Sequence, residues 1–140
     1  MSTSPIWIIY KEIVLPGSST EGQQLLILKD YLSPEPQDHE EDIARYLECA
    51  PGFSGVGTIV GDVLNPNIPV VLFPGTHTDG VYVWQTELAY YVRKYHLRVP
   101  NELVKRMASF NWQPPTKQEI DWQRLYHDSP RFLAPYEHCK

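Results

Sequence analysis

The residues whose types and spacing come closest to doing chemistry lie in Gly75-Thr76-His77-Thr78-Asp79-Gly80. An imidazole and a carboxylate two residues apart on a glycine-flanked loop could act as a general base with its orienting acid, or as two ligands of a metal ion. Two groups complete neither site. A zinc centre takes three or four ligands, and an acid–base pair needs a nucleophile or an activated water. The same residues also read as turn chemistry, because Asp79-Gly80 ahead of Val81-Tyr82-Val83-Trp84 is a hairpin signal. The turn is the preferred reading, and a small enzyme with a His77/Asp79 loop site is the alternative.

Other fragments of catalytic motifs fail on spacing. His39-Glu40-Glu41-Asp42 lacks the second histidine of a metalloprotease helix, because position 43 is Ile43. The glycines of Gly52-Phe53-Ser54-Gly55-Val56-Gly57 are followed by Thr58-Ile59-Val60 and not by Gly-Lys-Ser/Thr, so a phosphate cradle is not indicated. Ser54 lacks the flanking glycine spacing of a hydrolase elbow. Cys139 beside His138 stands next to the chain end, where a nucleophile is poorly positioned. The two cysteines, Cys49 and Cys139, are 90 residues apart with no CxxC and are expected as free thiols. The expectation is therefore no catalytic residue, no metal site and no cofactor.

Charge is the more informative signal. The net charge is −5, but residues 1–92 hold 3 basic against 12 acidic residues and residues 93–140 hold 9 against 5, giving −9 and +4. Between Asp30 and Glu48 seven acids face only Arg45. Such an acidic pole repels nucleic acid and anionic membrane and attracts a basic protein partner. The aromatic set Tyr82, Trp84, Tyr90, Tyr91, Tyr95 and Trp112 lies near basic residues and could stack bases, yet it fits core packing better beside so acidic a half.

The elements that must position these residues follow from pattern. The chain of 140 residues, 42% hydrophobic and 12% aromatic, has the size of a single domain over 1–140. The apolar run Ile6–Ile9 is too short for a signal or a membrane span, so a cytoplasmic location is expected. Residues 6–14 read as a strand, and 25–32 as a second strand and hairpin partner of the first. Ile43, Leu47 and Ala50 place helix 1 at 38–49. Strands at 58–64, 69–73 and 81–84, with a loop at 74–80, suggest an antiparallel meander. Leu88, Tyr91, Val92 and Tyr95 set helix 2 at 87–96, with Thr86 as its N-cap. Pro100 and the face Leu103, Val104, Met107 and Phe110 set helix 3 at 100–110, closed by Asn111. Thr116-Lys117-Gln118-Glu119 is a capping box heading a short helix 4 at 117–126, with an irregular tail from about 128. The predicted fold is α+β: a mostly antiparallel sheet of about five strands with three to four helices packed on it.

The stretch Asp79-Gly80-Val81-Tyr82-Val83-Trp84, then Leu88-Ala89-Tyr90-Tyr91-Val92 with Tyr95 and Leu97, then Pro100-Asn101-Glu102-Leu103-Val104 and Trp112, resembles small bacterial immunity-type proteins of polymorphic or contact-delivered toxin systems. The likeness spans residues 79–112 and carries over no catalytic residue. It implies an immunity or antitoxin protein that neutralises a cognate toxin by direct stoichiometric binding. Combined with the charge pattern, it makes Asp38, Glu40, Glu41, Asp42 and Glu48 of helix 1 the expected contacts to a basic toxin domain. A structural or regulatory adaptor using the aromatic 82–112 region as a homodimer face is a further reading, so the expected state is monomer or homodimer.

Overall fold

The computed structural model describes residues 6–14, 23–55, 60–69 and 75–122. It is an α+β fold with strands β1 (Ile6–Tyr10), β2 (Leu25–Leu26), β3 (Gly52–Gly55), β4 (Gly75–Thr78) and β5 (Tyr82–Gln85), and helices α1 (Glu40–Cys49), α2 (Leu88–Tyr95) and α3 (Asn101–Ser109). The strand order is β2-β1-β5-β4-β3.

The sheet is mixed, which corrects the expectation of a mostly antiparallel one. β1 runs parallel to β5 and to the two-residue β2, whereas β5–β4 and β4–β3 are antiparallel. β1 and β2 are therefore not a hairpin. The β-branched and aromatic run Ile6-Trp7-Ile8-Ile9-Tyr10 becomes buried toward its end and takes an inner position, which only non-local pairing can fill. Beyond the last β1–β5 pair, Ile8↔Trp84, the Gln85 side chain continues the ladder by accepting the Tyr10 amide at 3.0 Å.

The meander is also redistributed. Residues 75–78 form β4 and not a loop, pairing with β5 through His77↔Trp84 and Thr78↔Val83. The Asp79-Gly80 turn survives, with Gly80 at φ +97, a conformation that disfavours any side chain. Of the strands expected at 58–64 and 69–73, the described part, 60–69, turns back on itself; the remainder lies outside the described residues. Asp62 causes that turn: its Oδ1 accepts the amides of Leu64 (2.7 Å) and Asn65 (3.0 Å).

The three helices hold within two residues of the predicted bounds, because their apolar faces match the core. Ile43, Ala44, Tyr46 and Leu47 of α1, Leu88, Tyr91 and Val92 of α2, and Leu103 and Met107 of α3 join Ile8, Tyr10 and Trp84 of the sheet in one buried cluster. A second cluster buries Val83 against Ile120, with Trp7 and Trp122 packed on it. Sheet side chains also finish α1: Trp84 Nε1 donates to the Leu47 carbonyl at 3.0 Å, capping a carbonyl the helix leaves open. Glu87, not Thr86, occupies the N-cap position of α2. Asn111 and Trp112 close α3 in the left-handed region. The capping box of Thr116 and Glu119 forms, but over a three-residue 3-10 turn, Lys117–Glu119; 123–126 and the expected tail lie outside the described residues. Cys49 is disulfide-bonded, which overturns the free-thiol expectation there; Cys139 lies outside the described residues.

Candidate functional site

His77 and Asp79 are brought inside the fold and turned to different partners. The alternation of β4 points His77 at the carboxy-terminal end of α1, where Nδ1 bonds the Ala50 carbonyl at 2.6 Å. Asp79, 2% exposed, sits at the start of the β4–β5 turn. Its Oδ1 accepts the amides of Val81 (3.1 Å) and Tyr82 (2.8 Å), which fixes the turn. Its Oδ2 accepts the Tyr46 hydroxyl of α1 (2.7 Å) and Arg106 Nε of α3 (2.9 Å). One carboxylate thus joins the sheet to two helices. Burial, followed by the neighbouring Asp79 charge, pushes the Tyr46 phenol upward and keeps it a hydroxyl donor. Neither His77 nor Asp79 reaches solvent, so as placed they do not present a base and an orienter to a substrate.

A second carboxylate is equally well held. Asp62 Oδ2 accepts the hydroxyls of Tyr90 and Tyr95, both at 2.6 Å, while Tyr91 accepts the Val63 amide at 2.9 Å. Tyr90, Tyr91 and Tyr95 of α2 therefore hold the 60–69 segment. Burial works to raise the Asp62 carboxyl, but the bonds from Tyr90, Tyr95 and the Leu64 and Asn65 amides outweigh it and hold it below the ordinary range. Trp84 and Tyr91 are buried, and Tyr82, Tyr90, Tyr95 and Trp112 pack partly buried against the core, so the aromatic set serves the interior.

A third buried acid is treated differently. Among the described residues Glu87, 4% exposed, has no hydrogen-bond partner at Oε1, and the neighbouring buried Thr86 Oγ1 has none either. Burial pushes the Glu87 carboxyl up to about 7, against a small opposing effect of its own amide.

The acidic residues expected to bind a partner occupy the amino-terminal side and outer face of α1. Asp38, Glu41 and Glu48 are exposed, and Asp42 is partly so. Four of the five have intramolecular partners. Arg93 of α2 reaches across to Glu41 (2.8 Å) and Glu48 (2.7 Å), His39 bonds Asp42 (3.1 Å), and His96 bonds Glu40 (2.8 Å). The bonds from Arg93 hold the Glu41 carboxyl below its ordinary value, and those from Glu41 and Glu48 raise the guanidinium. Glu40 is the least available, its side chain only 14% exposed. His39 also stacks on Trp112, with ring centroids 4.4 Å apart.

Among the described residues no group of three or more His, Cys, Asp and Glu gathers as a cation site. Sequence reasoning missed Asp62, Glu87 and Arg106. Asp62 had a local signal, since Asp-x-x-Asn ahead of a proline is turn chemistry. Glu87 and Arg106 had none, because an acid before a helix and a base on one are ordinarily solvated. No protein-family model, characterised protein or solved structure matches the chain.

Proposed function

We propose that the chain is an immunity-type protein that neutralises a basic protein partner, a toxin domain, by direct stoichiometric binding through the acidic surface of α1 and the segment before it. The observation that carries this reading is the concentration of exposed acids, Asp30, Glu35, Asp38, Glu41 and Glu48, on one stretch whose helical part buries Ile43, Ala44, Tyr46 and Leu47 in the core. Arg93 offsets part of that charge from α2, and the remainder faces water. An acidic surface of this kind accelerates encounter with a cationic protein and sets orientation more than it adds raw affinity. The likeness of residues 79–112 to immunity-type proteins supports the same reading.

The test is to isolate the partner from the native host as a one-to-one complex and to measure association with Asp38→Lys, Asp42→Lys and Glu48→Lys combined. That set leaves Glu41 on Arg93. Association at low salt is expected to slow by about ten-fold or more, with loss of protection of the host and an unchanged circular dichroism spectrum. An unchanged rate and full protection would sink the proposal.

A further inference from the structure

We infer that the Glu87 carboxyl is a proton-operated latch: protonated, it stays inside at the head of α2, and on ionising it leaves for water, opening the first turn of α2 and the Tyr91–Val63 clip on the 60–69 segment. The inference begins from position. Glu87 stands at the junction of β5 and α2; its carbonyl accepts the Tyr91 amide (3.3 Å), and the preceding Thr86 amide bonds the Gly75 carbonyl of β4 (3.0 Å). Turning this side chain outward disturbs the helix start and the Tyr91 ring one turn later. The Tyr91 hydroxyl is the group that holds the Val63 amide.

The surroundings offer the charged form little support. Oε1 is unpartnered, the adjacent Thr86 hydroxyl is unpartnered, and a buried carboxylate in that state is strongly disfavoured. Several titratable groups of the neighbouring elements have partners of their own. His77 of β4 is on the Ala50 carbonyl, Cys49 of α1 is in a disulfide, and Arg93 of α2 is bound by Glu41 and Glu48 of α1. Asp62 is on Tyr90 and Tyr95. Tyr91 is the described group whose titration responds to the Glu87 charge, and burial already drives it upward. The helix start and the residue's own amide favour the carboxylate, but desolvation outweighs them, consistent with a carboxyl raised from 4.5 to about 7.

The sign follows from linkage. A carboxyl raised in the closed state and ordinary in the open one favours closure fully below 4.5, and that contribution is lost as pH rises through about 7. Between pH 6 and pH 8 the opening constant is expected to grow by about ten-fold. The latch would thus loosen the 60–69 segment on the alkaline side of neutrality.

The experiment combines a carbon-13 NMR titration of the Glu87 side-chain carboxyl with amide hydrogen exchange, corrected for intrinsic pH dependence, at pH 6 and pH 8. Wild type and Glu87→Gln are compared. The expected result is a Glu87 midpoint near 7 and a loss of protection of about ten-fold at Val63 and the first turn of α2, both absent from E87Q, with the α3 amides unmoved. A Glu87 midpoint near 4.5 in the wild type would overturn the inference without any variant. So would an equal loss of protection in E87Q.

Discussion

Two acids lie equally deep in this fold, Asp79 at 2% and Glu87 at 4% exposure, yet their surroundings differ completely. Asp79 receives two backbone amides, a tyrosine hydroxyl and a guanidinium, so its charge holds the β4–β5 turn, α1 and α3 together. Glu87 has an orphaned oxygen beside an orphaned threonine hydroxyl at the head of α2. The difference teaches that depth alone does not decide whether a buried acid stabilises a protein. The donors aimed at it decide that, because they replace the water it lost. One corner is a joint, and the other holds a carboxyl with an unpartnered oxygen.

The sharpest way to break this comparison is Asp79→Ala. It leaves Tyr46, Arg106 and two turn amides without their acceptor, and is expected to cost about 3–5 kcal/mol in urea unfolding. A loss under 1 kcal/mol would mean that the corner is not a joint. Asp62→Asn is expected to cost about 2–3 kcal/mol near neutral pH, since two tyrosine hydroxyls lose a charged acceptor. The Asp62 carboxyl is depressed, so its contribution is present above the ordinary 3.8 and lost as pH falls through the lower folded value. Unfolding measured from pH 2 to pH 7 should therefore show a shallower acid limb in D62N than in wild type. Glu87→Gln moves stability the other way and least. Relative to wild type, E87Q is expected to gain on the order of 2 kcal/mol between pH 5 and pH 8, because the wild-type carboxyl holds its proton when folded and releases it on unfolding, which favours the unfolded wild type as pH rises. Parallel pH–stability curves for the two proteins would place Glu87 with Asp79 and erase the contrast.

Much of the scaffold was legible. The 3.6-residue spacing of Ile43 and Leu47, of Leu88, Tyr91 and Val92, and of Leu103 and Met107 located α1, α2 and α3, because an amphipathic face records its own burial. The Asp79-Gly80 turn and the Thr116–Glu119 capping box were also readable, since both bond within a few residues. Strand pairing was not. Nothing in Ile6–Tyr10 says that its neighbours will be Leu25–Leu26 and Tyr82–Trp84, both parallel to it, because a strand pattern encodes faces and not partners. The candidate site divides in the same way. Asp38, Glu41, Asp42 and Glu48 were visible as an acidic run, but not that Arg93, some 50 residues on, would lie across two of them.

The sequence by itself determined where the helices and tight turns form and where acidic charge accumulates, since both depend on residues close along the chain. Only the tertiary structure decided which acids act as joints, which stay on the surface and which is buried with one oxygen left unpartnered. Asp79, Asp62 and Glu87 are chemically alike in the sequence. Their roles diverge because the groups that satisfy a carboxylate here, Arg106 and Tyr46 for one, Tyr90 and Tyr95 for another, come from elements 27 to 33 residues away.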